Sequence, residues 1–107
     1  MRNSLIGITL ATACLAALPA RSADRDDTAL QHLVRHDCGS CHGMQLTGGL
    51  GPALTPQTLA QRPVEWVRAV ILHGVPGTAM PAWRGLVSED EAARIATLLK
   101  ERIHESH

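Results

Sequence analysis

Residues 37–43 read Asp-Cys-Gly-Ser-Cys-His-Gly, and this stretch decides how the rest of the chain is interpreted. Two cysteines lie three positions apart, and a histidine directly follows the second one. Thiols at this spacing occur in redox dithiols, in zinc sites and at attachment sites for haem. Each kind of site needs different support from the surrounding residues, so the flanking sequence distinguishes between them.

The first 20 residues have the character of an export signal. Arg2 precedes an uncharged and mostly apolar run at residues 4–18. At about 15 residues this run is shorter than the ~20 that a membrane-spanning helix needs, and a small residue such as Ala20 suits signal peptidase. We therefore predict a signal peptide at residues 1–20 and an exported mature domain at residues 21–107.

Removal of this segment changes the cysteine count of the protein. The chain has three cysteines, and Cys14 lies within the apolar run. Lipidation at Cys14 is disfavoured, because the run continues past it as in an ordinary signal peptide. The mature domain would keep Cys38 and Cys41 alone, so no spare thiol would be left to oxidise after export.

The composition excludes some functions and suggests that the core needs an additional component. Ten basic residues balance ten acidic ones, which gives no electrostatic footprint for nucleic acid or for a polybasic contact with a membrane. The chain has two tryptophans and no phenylalanine or tyrosine. Because small domains bury little surface and aromatic side chains bury the most, we expect a disulfide, a metal or a large apolar cofactor to complete the core.

Hydrophobic periodicity predicts three helices and no strand. The three segments with helical periodicity are residues 26–37, 63–73 and 88–103. The second stops at Gly74, and the third opens with a capping box formed by Ser88 and Glu91. The connections at residues 43–62 and 74–87 are rich in glycine and proline. Loops of this length usually wrap around a ligand or carry the function.

These surroundings favour haem attachment over the two other kinds of site. A thioredoxin-like dithiol needs a βαβ pattern, which the predicted helices do not provide. A zinc site needs four ligands, and Cys38, Cys41 and His42 lie too close together for a usual tetrahedral set. His104 and His107 could be recruited to complete the set, but they lie at the C-terminal end of the chain. In C-x-x-C-H both thiols add to the haem vinyl groups and the adjacent imidazole binds the iron, which also explains the export signal and the missing aromatic core.

The second axial ligand of the iron is expected in the second long connection. Met80 lies there in a loop rich in glycine and proline, outside any predicted helix. Met44 follows His42 too closely to reach the opposite face of a haem. His73 is the rival candidate at the end of a helix, where the helix dipole also favours a histidine. We predict His42 and Met80 as the axial ligands.

The order of these motifs resembles that of the class I c-type cytochromes over the whole mature chain. The resemblance rests on C-x-x-C-H at residues 38–42, Gly-Pro-Ala-Leu at residues 51–54 and Gly-Thr-Ala-Met-Pro at residues 77–81. It implies an all-α cytochrome c fold, in which three main helices and long loops wrap one covalently bound haem c. It also implies that the first and last helices pack together, and that the Pro52 carbonyl accepts a hydrogen bond from His42.

Two loop sequences resemble one branch of this family more closely. Residues 37–54 and 76–85 look like those of cytochromes c55X, small periplasmic monohaem cytochromes of denitrifying bacteria. The resemblance implies a monomeric periplasmic electron carrier without stable membrane insertion, which is a donor to cytochrome cd1 nitrite reductase and not an enzyme. The alternative is a haem-based ligand binder or a factor in d-type haem maturation of that reductase.

Overall fold

The computed structural model describes residues 7–16 and 24–101, and these residues contain helices but no strand. The helices are α1 (Asp27–Leu33), α2 (Gly39–His42), α3 (Pro56–Leu59), α4 (Val64–His73) and α5 (Glu89–Lys100), and a π-helical turn (Val34–Cys38) joins α1 to α2. Among the described residues, no helix is long and apolar enough to span a membrane. The prediction of an all-α fold is confirmed.

The predicted signal peptide is only partly within the described residues. Residues 7–16 form no regular secondary structure, and all of them are exposed. The predicted cleavage position after Ala20 lies outside the described residues.

The first helix continues further than the sequence pattern predicted. It starts after Asp26, whose carboxylate accepts a hydrogen bond from the Ala29 N–H at 2.8 Å. At Val34, before the predicted end at residue 37, the chain enters the π-helical turn, in which the Gly39 N–H donates to the Val34 carbonyl five residues earlier. Such turns insert one extra residue into a helix and often occur at functional sites. The resulting N-terminal helical run, from α1 through α2, carries both cysteines of the motif and its histidine.

The two longer helices, α4 and α5, each begin after an N-cap residue, and the cap of α5 is the predicted one. The Glu91 N–H donates to Ser88 Oγ and the Ser88 N–H donates to the Glu91 carboxylate, each at 3.0 Å, which is the predicted capping box of α5. Pro63 occupies the N-cap position of α4. The predicted extension of the last helix to Ile103 lies outside the described residues.

The core is built from small and medium aliphatic side chains. The buried cluster contains Leu30, Val34, Leu46, Leu59, Val67, Leu72, Val87, Ala92, Ile95, Ala96 and Leu99. Leu30 from α1 and Leu99 from α5 are both buried in it, which confirms that the first and last helices pack together. Trp66 is 44% exposed and Trp83 is half-buried, so no aromatic side chain of the described residues is fully buried.

Charged side chains tie the segment before α1 to α5. The Arg25 guanidinium contacts the buried Glu91 carboxylate at 2.9 Å, and the Arg25 backbone N–H donates to it at 3.1 Å. Arg94 pairs with Asp27 and donates to the Arg25 carbonyl. Burial alone would raise the pKa of Glu91, but the hydrogen bonds from Ser88 and Arg25 outweigh it and lower the pKa. The lowered pKa stabilises the fold above the usual carboxyl pKa, and this stabilisation is lost as the pH falls through the folded-state pKa.

Candidate haem site

The two cysteines of the motif lie one helical turn apart on the N-terminal helical run. Residues three apart share a helix face, so both thiols point from the same side of the backbone. Cys38 is half-buried against the core, and Cys41 is exposed. Burial, aided by the charge of Asp37, raises the pKa of the Cys38 thiol to about 11. Reactive redox dithiols need a lowered thiol pKa, so this environment disfavours a redox role for the unmodified thiols.

The His42 ring is oriented by the loop that follows it. Its Nδ1 lies 2.6 Å from the Pro52 carbonyl oxygen. A carbonyl can only accept, so Nδ1 carries the proton and donates it. The other ring nitrogen, Nε2, is then left with its lone pair free to bind a metal.

The loop that follows α2 folds back against the end of that helix, and this close approach depends on Gly51. The Gly48 N–H donates to the His42 carbonyl at 2.9 Å, and the Gly51 N–H donates to the Cys41 carbonyl at 2.8 Å. These bonds satisfy carbonyl groups that the end of a helix leaves without a partner. A Cβ atom on Gly51 would lie 2.7 Å from Cε1 and 2.8 Å from Nδ1 of His42. Only a residue without a side chain fits against the ring at this position.

Substitution of Gly51 by alanine is therefore expected to displace the His42 ring or the loop. Overpacking of this kind costs about 1–3 kcal/mol, measured by denaturant unfolding of the holoprotein, and the NMR signals of the His42 ring should shift. Gly85→Ala is the matched control, because a Cβ there would meet no atom within 4 Å. Equal stability and equal His42 signals in the two variants would contradict this account.

Met80 lies in a separate loop that is fixed to the end of α4. The Val75 N–H donates to the Met80 carbonyl at 3.2 Å, and the Met80 N–H donates to Thr78 Oγ1 at 3.3 Å. Gly74 has a φ of 67°, and a Cβ on it would lie 2.7 Å from the Met80 carbonyl oxygen. Hydrogen bonds and close packing therefore hold the backbone of Met80, and its side chain is half-buried.

The alternative ligands occupy different surroundings. His73 is exposed at the end of α4. Met44 is 58% exposed and lies against Gly39, beside the cysteines. Among the described residues there is no group of three or more His, Cys, Asp or Glu side chains that could hold a metal ion.

The residues brought together here fit a covalently bound haem. Two thiols on one helix face precede an imidazole whose Nε2 is free, as the C-x-x-C-H attachment requires. In residues 24–101 no recorded hydrogen bond joins the Met80 loop to His42, so the two candidate ligands are held by separate segments. Half-buried apolar side chains border the core and are available to cover an apolar ring system: Leu54, Ile71 and Trp83.

Comparison with known proteins identifies the family of this chain. The profile of the family described as cytochrome C oxidase, cbb3-type, subunit III matches residues 25–99, more than half of the chain. Together with the fold and the site, this match defines the class of c-type cytochromes, with one covalently bound haem c. Cytochrome c55X of Paracoccus denitrificans strain Pd 1222 is 52% identical over 98 residues, which cover 92% of each chain. The chain belongs to the cytochrome c55X family.

Two further proteins contain a domain that is similar to this chain. A solved structure of the c-type cytochrome NirC superposes with a TM-score of 0.67 at 53% identity, over 69% of this chain and 87% of that one. The dihydro-heme d1 dehydrogenase of Pseudomonas aeruginosa is 35% identical over 89% of this chain but over only 18% of its own length. The same kind of domain therefore occurs both alone and as part of a larger enzyme.

The sequence did not reveal the π-helical turn or the contact between Gly51 and the His42 ring. The extra residue of a π-helical turn has no sequence signature of its own. The glycine before Pro52 was visible, but its closeness to the ring became clear only from the folded loop.

Proposed function

We propose that this chain is a single-electron carrier, with the haem attached through Cys38 and Cys41 and the iron held by His42 and Met80. The observation that carries the proposal is the 2.6 Å contact between His42 Nδ1 and the Pro52 carbonyl oxygen, which leaves Nε2 to bind the iron. When bound, the haem supplies a reversible change between ferric and ferrous iron, which carries one electron.

Two groups set the properties of this centre, the Pro52 carbonyl and the Met80 thioether. The Pro52 carbonyl fixes the tautomer and direction of the His42 ring and makes the imidazole a stronger ligand. The Met80 thioether raises the reduction potential relative to a nitrogen ligand. If His42 and Met80 both held the iron, no position would be open to a substrate, which supports a carrier in preference to an enzyme.

The carrier is proposed to work in the periplasm after removal of residues 1–20. Relatives of this class are typically periplasmic c-type cytochromes. Apolar side chains of residues 7–16 are almost fully exposed, with Ile8 at 82%, Leu10 at 87% and Leu15 at 92%. They add nothing to the core, so their removal would leave the core of the domain unchanged.

The electron is proposed to leave through the haem edge that lies next to α2 and to the Met80 loop. Cys41, Ala79 and Pro81 are exposed small or apolar residues in these segments. Redox encounters use small interfaces, so a surface of this size is sufficient for a monomer that meets its partner briefly. The similarity to cytochrome c55X and NirC supports a place in denitrification, and we infer that cytochrome cd1 nitrite reductase is the acceptor.

This function is tested by mixing the reduced holoprotein with oxidised cytochrome cd1 nitrite reductase in a stopped-flow instrument. The ferrous absorption is expected to decay at a rate that rises with the reductase concentration. Ala79→Glu, at the proposed edge, should slow the transfer, whereas the same charge at the exposed Ala69 of α4 serves as the control. Absence of any oxidation by the reductase would exclude the proposed acceptor.

A second function, a role in d-type haem maturation, is supported by the similarity to the dihydro-heme d1 dehydrogenase. Haem-based ligand binding is the remaining alternative. An oxidised carrier that serves maturation should become reduced when that dehydrogenase turns over its substrate. A ligand binder should bind carbon monoxide rapidly in the ferrous state, whereas a carrier with Met80 on the iron should show no spectral change.

A further inference from the structure

The exposed side of the N-terminal helical run carries two histidines that the haem site does not use. His32 lies at the end of α1, and His36 lies four residues later in the π-helical turn. Their rings are stacked, with centroids 4.8 Å apart and planes inclined by 25°. Both side chains are exposed to solvent.

This arrangement leaves the ring nitrogens of both residues available. Within residues 24–101 the only contact recorded for either ring is the stacking of one ring on the other. His42, by contrast, has one ring nitrogen bound to the Pro52 carbonyl. The helical backbone sets the spacing of the pair, because residues four apart on a helix lie one above the other.

The distance between the rings suits binding of one metal ion by both. Metal–imidazole bonds are about 2.1 Å long, so two nitrogens on the same ion lie roughly 3 Å apart. Rings with centroids 4.8 Å apart reach this separation by tilting toward each other about their side-chain bonds. Both side chains are exposed, so no packed neighbour has to move to permit this rotation.

We propose that His32 and His36 form a two-histidine chelate for a divalent transition metal ion, with water completing the coordination. Imidazole suits Ni²⁺, Cu²⁺ and Zn²⁺, and Cu²⁺ is bound most tightly in this series. No third His, Cys, Asp or Glu side chain in the described residues joins the pair to form a larger metal-binding group. The bound ion is therefore exchangeable, unlike an ion in a structural site with four protein ligands.

The chelate and the haem site share one helical run but use different side chains. Cys38, Cys41 and His42 follow His36 along the chain, and none of them takes part in the ring stack. Each site can thus be altered while the other is monitored. The haem absorption spectrum reports whether a histidine variant is folded and loaded.

The test is isothermal titration calorimetry of the ferric holoprotein with Ni²⁺ and, separately, with Cu²⁺. The ferric form is used because ferrous haem could reduce Cu²⁺. We expect one ion per chain at this site and tighter binding of Cu²⁺ than of Ni²⁺. His32→Gln and His36→Gln keep the size of the side chain and should each weaken Ni²⁺ binding by at least about tenfold, because one of two ligands is lost.

Histidines elsewhere in the chain provide the controls. His73→Gln removes an exposed histidine from the end of α4, and His104→Gln combined with His107→Gln removes the two nearest the C-terminus. These variants should bind Ni²⁺ like the parent protein. Absence of saturable binding by the parent would overturn the proposal, as would unchanged affinity in both His32→Gln and His36→Gln with an intact haem spectrum.

Discussion

Replacing Met80 by alanine is expected to cause the largest functional change of any single substitution in the chain. Loss of the thioether should abolish the near-infrared absorption of a sulfur–iron bond, lower the reduction potential and open the iron to carbon monoxide. Axial ligands set haem potentials over a range of roughly 0.8 V, so the drop should be readily measurable. Visible and near-infrared spectra with a redox titration provide the measurement.

The effect should be confined to the iron ligand, because the Met80 loop is held by contacts that do not involve the thioether. The Val75 N–H and the absence of a side chain at Gly74 fix the Met80 carbonyl, so the loop backbone should survive the loss of the thioether. His73→Ala and Met44→Ala should leave the band and the potential unchanged. A six-coordinate low-spin spectrum with an unchanged potential in Met80→Ala would mean that another residue, such as His73, holds the iron.

Replacing both Cys38 and Cys41 by alanine is expected to cause the largest loss of stability. The thioether bonds should no longer form, so acidified organic solvent should extract any haem, and a denaturing gel stained for haem should be blank. The core has no fully buried aromatic side chain among the described residues, and its largest fully buried members are Leu30, Ile95, Leu99 and Val34. Without the haem as an apolar component, a domain of ordinary stability of about 5–15 kcal/mol should lose most of its cooperative unfolding transition.

Cys14 provides the control for this experiment. It is exposed and lies in the predicted signal peptide, so Cys14→Ala should yield a mature protein with its haem attached and an unchanged helical circular dichroism spectrum. Retention of haem on the gel by the double variant would contradict attachment through Cys38 and Cys41.

The sequence predicted those elements whose signals are local. The capping box of Ser88 and Glu91 marked the start of α5, because a cap and its partner lie within one turn. The position of Met80 outside any helix followed from the surrounding glycines and prolines. The class of protein and its haem cofactor were predicted from C-x-x-C-H together with the order of the other motifs.

Features that depend on the folded chain were not predicted. The short helix α3 has a local signal, since Thr55 and Pro56 occupy the positions that suit an N-cap and a first helical residue, but its four residues are too few to show periodicity. The π-helical turn begins at the buried Val34 and is followed by the buried Gly39, and it has no sequence signature of its own. The pairing of Arg25 with Glu91 joins residues 66 positions apart, which no local pattern indicates.

That ion pair has a consequence for the order in which the protein assembles. Together with the bonds of Arg94, it closes a loop of chain whose ends are 66 to 69 residues apart. Long loops close late in folding, because the loss of chain entropy precedes the gain from the contact. Cys38 and Cys41 lie near one end of this loop and are accessible while the chain is still open. The packing of α1 against α5 is therefore expected to be completed late, after the helical run that carries the two cysteines has formed locally.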